Sequence, residues 1–180
     1  MRNLSFCSIF HCFKDFAHSK LAWGILAGSA LWLETSALFF QHVMDMAPCL
    51  MCVYLRLATF CLLIAGLIGF YGHRNRFMRF TAVSIWGMSA FQGLSVALEL
   101  LDMQTNPSPF AVCSFVPNFP AWMPLHEWLP SMFLPVGSCY EIPIYILGLS
   151  MAEWMVVAFC VYAVLCIAFF IPALSRTVEK

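Results

Sequence analysis

The sequence has 180 residues, of which 62% are hydrophobic and 10% charged, and its mean hydropathy is +0.84, whereas an ordinary soluble domain carries about 25% charge. Lys and Arg number 9 and Asp and Glu 9, so the formal net charge is zero and no basic surplus exists to neutralise nucleic-acid phosphates. These values exclude a soluble globular domain and a nucleic-acid binder, and they indicate a membrane protein.

Residues 1–20 carry Arg2, Lys14 and Lys20, with Cys7 and Cys12. The apolar stretch that follows, Leu21 to Phe40, is long enough to cross a bilayer, which takes roughly 20 mostly apolar residues. A cleaved signal peptide is the alternative. It fits less well, because the stretch exceeds the usual apolar region of roughly 7 to 15 residues. Glu34 and the bulky Leu38, Phe39 and Phe40 also stand where a small-residue cleavage site is wanted.

Residues 41–50 contain no Lys or Arg and lead into "APCLMCVYLR", Ala47 to Arg56. Met51 to Tyr71 is the second span. Pro48 suits the first turn of a helix, where a missing N–H costs nothing, so the helix is expected to begin at or just before Cys49 with both cysteines in its first turn. Residues three apart on a helix are neighbours, within reach of a disulfide. The positive end of the helix dipole favours a thiolate there. Arg56, four residues after Cys52 and seven after Cys49, shares their helical face about 6 Å deeper and is expected to reach back toward the sulfurs. Its planar fork of donors also suits a carbonyl oxygen of a flat, lipid-soluble ligand and the anion formed on its reduction. The competing reading of Arg56 is an anchor that snorkels to the outer headgroups. A structural zinc site wants four N or S ligands, usually from two such knuckles, and only one C-x-x-C is present, so no metal is expected.

Residues 72–79 hold Arg74, Arg76 and Arg79, and Phe80 to Leu101 is the third span. Residues 102–151 again lack Lys and Arg. Seven prolines fall between Asn106 and Cys139, which argues against long regular elements. Trp122, Trp128, Phe119 and Phe133 suit a segment lying at the headgroup level, with a short interfacial helix around Leu125 to Met132. Cys113 and Cys139 belong to this segment. On their own they read as a structural staple; beside a second, activated pair they also read as a relay, because a thiolate attacks a neighbouring disulfide. Ala152 to Leu174 is the fourth span, and residues 175–180 carry Arg176 and Lys180. All four spans must be helical, since hydrocarbon leaves no other way to satisfy the backbone and the runs lack barrel alternation.

Apart from Arg56, every Lys and Arg lies before span one, between spans two and three, or after span four. The positive-inside rule therefore places both termini and the middle loop in the cytoplasm and both Lys/Arg-free loops outside. Cys49, Cys52, Cys113 and Cys139 then face an oxidising compartment, while Cys61, Cys160 and Cys166 lie within spans as apolar filler. Glu34 and Glu99 are intramembrane acids near the outer side, suited equally to function and to headgroup exposure.

With these residues placed, the chain resembles the DsbB family of disulfide-bond formation proteins. The stretch "ETSALFFQHVMDMAPCLMCVYLR" is similar to the family's first outer loop and C-x-x-C helix, and "PSPFAVCSFVPNFPAWMPLHEWLP" with "GSC" to its second cysteine region. The similarity runs from about Ala22 to Phe170. It departs at Leu55, where some relatives carry an acid, and at Leu100, where some carry a histidine. The resemblance implies a four-transmembrane-helix bundle in the bacterial inner membrane acting as a protein dithiol:quinone oxidoreductase. Such an enzyme reoxidises a periplasmic thioredoxin-fold oxidase of the DsbA type and hands the electrons to ubiquinone or menaquinone. Carried over by residue, the resemblance makes Cys113 the site of the mixed disulfide and Cys139 its loop mate. It sets Cys49 and Cys52 toward the quinone, with Cys52 in contact and Arg56 in support. The rivals are a paralogue dedicated to one partner and a noncatalytic membrane protein whose outer disulfides only brace its loops.

Overall fold

The computed structural model describes residues 16–106, 124–135, 137, 139 and 145–174. Helix α1 spans Lys20–His42, α2 Leu50–Gly72 and α3 Arg76–Thr105. Two single turns follow, α4 Leu125–Trp128 and α5 Pro130–Phe133. A two-residue ribbon pairs β1 Tyr145–Ile146 with β2 Leu149–Ser150, and α6 is Met151–Leu174. The four long helices have the length and apolarity to cross a membrane.

Local signals set the helix ends. Ser19 caps α1 by accepting the Ala22 N–H at 3.3 Å, and Asn75 caps α3 by accepting that of Phe77 at 3.0 Å. At the start of α6, Ser150 and Glu153 form a reciprocal capping box: the Ser150 N–H donates to Glu153 Oε2 at 2.6 Å and the Glu153 N–H to Ser150 Oγ at 3.3 Å. The ribbon before it turns through Leu147 and Gly148, both at positive φ, the geometry that matches strand twist in a two-residue hairpin. The expected interfacial helix over Leu125 to Met132 is two pieces instead of one. Pro130 starts the second turn, and the residue before a proline is driven out of helical conformation, so Leu129 sits at φ −134°.

Each long helix packs mainly on the next, α1 on α2, α2 on α3 and α3 on α6. Tyr162 of α6 closes the ring by donating to Ser29 of α1 at 2.9 Å. Small residues permit the close approaches. A Cβ at Gly66 would lie 2.7 Å from the Ala27 backbone nitrogen, and one at Gly93 would fall within the Phe159 ring. Gly93→Ala is therefore expected to destabilise the bundle by roughly 1–3 kcal/mol, the usual cost of overpacking, read as a lowered unfolding midpoint in detergent. The core is aromatic: Trp23 meets Trp86 edge to face at 6.2 Å, and Trp86 meets Phe169 at 6.0 Å. Outward faces are equally apolar, with Trp32, Phe77 and Met88 each more than 70% exposed, as a lipid-facing surface requires.

At the end of the bundle that carries Arg74, Arg76 and Arg79, the last of these is 1% exposed. Arg79 donates to the carbonyl oxygens of Ala173 at 2.9 Å and His73 at 2.8 Å, tying the ends of α6 and α2 to the start of α3. It thereby satisfies carbonyls that helix termini leave without intrahelical partners.

Candidate functional site

The opposite end of the bundle gathers the finish of α1 and α3 with the start of α2 and α6. Residues 43–49 cross from α1 to α2, with Asp45 at φ 51°. Pro48 stands outside the helix, and Cys49, the expected first helical residue, is instead the N-cap of α2: its sulfur accepts the Cys52 N–H at 3.3 Å. Cys52 thus falls in the first turn, and the two sulfurs lie 2.7 Å apart, against roughly 2.05 Å for a closed disulfide. Little movement separates the pair from a bond. The hydrogen bond to Cys52, with burial behind it, pushes the Cys49 thiol well above the ordinary cysteine range; the backbone N–H donors act in the opposite sense.

Both cysteines line a cavity of about 130 Å³ between the four long helices. Arg56 lines it too and is 7% exposed, so it does not snorkel out to solvent. Its hydrogen bonds go to oxygen, not to sulfur. One terminal nitrogen donates to Gln41 Oε1 and to the Met132 carbonyl at 3.1 Å, the other to the Ala37 carbonyl at 3.2 Å. The guanidinium therefore joins α1 and the interfacial turn α5 to α2, and three of its five N–H groups are committed.

Two side chains on the other walls have oxygens without partners. Glu34 of α1 is 5% exposed, and neither carboxyl oxygen has a hydrogen-bond partner. Gln104 of α3 likewise has an unpartnered Oε1. Leu55 and Leu100, the two positions that depart from some relatives, are buried apolar wall. Glu99, given the same weight as Glu34 by sequence, is exposed and outside the cavity.

The second loop meets this site at its rim. The Gly137 N–H donates to the Pro48 carbonyl at 3.0 Å, and a Cβ on Gly137 would run into the Ala47 carbonyl. Cys139, two residues on, is fully buried, disulfide-bonded and part of the same apolar cluster as Cys49 and Leu50. Its bonding partner and Cys113 lie outside the described residues. Among the described residues Cys49, Cys52, Arg56 and Cys139 are thus collected at one end of the bundle, while Cys61 and Cys166 sit deeper within helices.

The cavity suits a quinone ring. An apolar cavity of about 150 Å³ takes up one benzene ring. Two uncommitted guanidinium N–H groups match a carbonyl oxygen, and the unpartnered oxygens of Glu34 and Gln104 match the O–H groups of the reduced form. Sequence reasoning missed Gln41 and Gln104, whose polarity at the ends of apolar runs was the available signal. It could not have found the Met132 carbonyl, because a backbone acceptor leaves no mark in composition.

A family model described as disulfide bond formation protein DsbB matches residues 19–169. A disulfide bond formation protein B of Shewanella loihica is 57% identical over 162 residues, covering 90% of this chain and 95% of the relative. Its counterpart in Shewanella amazonensis is 56% identical over 163 residues, covering 91% and 96%. The protein of the same name in Psychromonas ingrahamii is 50% identical over 167 residues, covering 93% and 90%.

Proposed function

The chain belongs to the DsbB family, and on that premise we propose that it is a protein dithiol:quinone oxidoreductase of the bacterial inner membrane that reoxidises a DsbA-type partner. Its termini face the cytoplasm and its two cysteine pairs the periplasm, a reading supported by the placement of Lys and Arg. The partner's thiolate opens the Cys113–Cys139 disulfide to form a mixed disulfide at Cys113, and the partner's second thiol resolves it, which leaves the partner oxidised and Cys113 and Cys139 as thiols. Cys139, held beside Pro48 through Gly137, then exchanges with the Cys49–Cys52 pair. Cys52, on the cavity wall, delivers the electrons.

When bound, quinone supplies an acceptor for two electrons and two protons. This chain's residues do the rest. Arg56 orients a carbonyl oxygen and stabilises negative charge developing there, α5 helps exclude water, and the α2 cap holds the sulfurs within bonding range. The observation that carries this reading is the pair of sulfurs 2.7 Å apart on the wall of a cavity shared with a buried arginine. Purified protein given reduced partner is expected to bleach added quinone, one quinone per partner disulfide formed. A scaffold whose disulfides only brace loops would leave the quinone oxidised.

The contact between loops offers a separate check. Gly137→Ala should push residue 137 off the Ala47 carbonyl and shift Cys139, two residues on. Exchange between the two cysteine pairs is then expected to slow by about tenfold or more, since small displacements of reacting groups carry penalties of that order or larger. Rapid alkylation of thiols after mixing with reduced partner measures it, with mixed-disulfide formation at Cys113 unchanged.

A further inference from the structure

The cavity's polar inventory leaves one ionisable group without a role. Glu34 lies one turn beyond Ala30 on the buried face of α1, and neither of its oxygens is paired. Burying a carboxyl without a hydrogen bond is costly, and chains that retain such groups generally use them. The groups facing it bear on its chemistry. From α2 come Arg56, Cys52 and Cys49; the cavity residues of α3 are Leu100 and Gln104, and those of α6 and its approach are Met151, Ala152 and Met155, none of them ionisable. Arg56 is already committed to three oxygens and cannot give up a proton at neutral pH. The glutamine is no acid either. Among the described residues Glu34 is thus the one carboxyl that shares a wall with the reacting sulfurs.

Resting on the reading of this cavity as the quinone site, we propose that Glu34 is the proton-transfer residue of quinone reduction. The bookkeeping closes within the chain. As the S–S bond forms, the Cys49–Cys52 dithiol loses two electrons and two protons, and the acceptor gains both. Glu34, as acid, hands its proton to the acceptor's oxygen. The carboxylate left behind takes the Cys52 proton as that sulfur becomes a thiolate, and returns to acid. The second proton comes from Cys49. Gln104 Oε1 accepts from an O–H of the reduced product and holds the ring without exchanging protons.

The test uses the full-length protein in lipid nanodiscs as wild type, Glu34→Gln and Glu34→Asp. Glu34→Gln is expected to lower maximal quinone reduction at least tenfold with half-saturation nearly unchanged, and Glu34→Asp to recover part of the loss. The wild-type rate should fall at alkaline pH as the acid form is lost, and that limb should vanish in Glu34→Gln. Electron transfer from reduced partner to Cys49 and Cys52 without quinone, read by alkylation, should be preserved in both variants, which excludes a folding defect. Independently of turnover, dicyclohexylcarbodiimide, which needs a carboxylic acid in an apolar site, should label Glu34 in wild type, and added quinol should block the labelling. Wild-type turnover and pH profile in Glu34→Gln overturn the assignment, as does a Glu34 that resists the carbodiimide. Should Glu34→Gln not fold, a Glu34→Asp variant with an unaltered pH profile overturns it equally. A wild type that reduces no quinone, while its Glu34 is labelled without protection by quinol, removes the quinone reading itself and this inference with it.

Discussion

Cys52→Ser is expected to bring quinone reduction by purified protein down to the uncatalysed background, the largest effect of any single change in the chain. A serine oxygen neither joins a disulfide nor gives up an electron pair to quinone, so no residual route through the Cys49–Cys52 pair remains. The variant should nevertheless fold, because serine is smaller than cysteine and the cap of α2 is made by Cys49, not by Cys52. It should also stall in a recognisable state. With Cys52 gone, the Cys49 sulfur stands alone next to Pro48, where Gly137 seats the second loop, and its attack on the Cys139 disulfide would leave a Cys49–Cys139 link. Peptide mapping under nonreducing conditions detects that link. Undiminished quinone reduction by Cys52→Ser would remove the pair from the electron path altogether.

Arg56→Met is expected to cost both stability and turnover. The guanidinium is the donor for Gln41, the Ala37 carbonyl and the Met132 carbonyl, and methionine leaves all three half-buried acceptors without it. A charge-assisted hydrogen bond contributes about 1.5–3 kcal/mol, so a loss on the order of 3 kcal/mol is expected, visible in the unfolding midpoint. Losing one such donor to developing negative charge typically costs about a hundredfold or more in rate, and quinone reduction should fall by that order. Arg56→Lys separates the two roles. It keeps the charge but not the planar fork, and a single ammonium cannot hold α1 and α5 together in the same geometry. Stability should therefore drop nearly as far as in Arg56→Met, with turnover falling less. Equal turnover losses in the two variants would show that fork geometry, not charge, limits the reaction.

The two acids illustrate where sequence reasoning stopped. Glu34 and Glu99 are each a lone carboxyl near the same side of an apolar run, and sequence ranks them alike; the bundle buries one in the cavity and leaves the other exposed. In a soluble helix the phase of apolar residues would have separated them. Here the lipid-facing sides are as apolar as the core, so Trp32 and Met88 point outward while Ala30 and Ser89 point inward. Arg79 makes the same point. Its position among basic residues marked a membrane edge, yet its near-complete burial against the Ala173 and His73 carbonyls follows only from where α6 and α2 end.

Helix boundaries divide similarly. Phe80 to Leu101 marks the hydrocarbon-length part of α3, but the helix itself is Arg76–Thr105. Asn75 caps it before the apolar run begins, and backbone hydrogen bonding carries it through Asp102 and Gln104 after the run ends; the extension places Gln104 on the cavity wall. The Ser150–Glu153 capping box was legible in "SMAE" but went unread beside the stronger apolar signal.

By itself the sequence determined the four spans and the C-x-x-C with its arginine, because bilayer thickness and helical rise act on the chain locally. Only the tertiary structure decided which polar groups share a cavity, which carbonyls Arg56 holds, and that Gly137 seats the second loop on Pro48, next to Cys49 in the chain. Those contacts join residues tens of positions apart, and a membrane interior removes the inside-outside contrast in polarity that would otherwise have recorded them in the pattern of the chain.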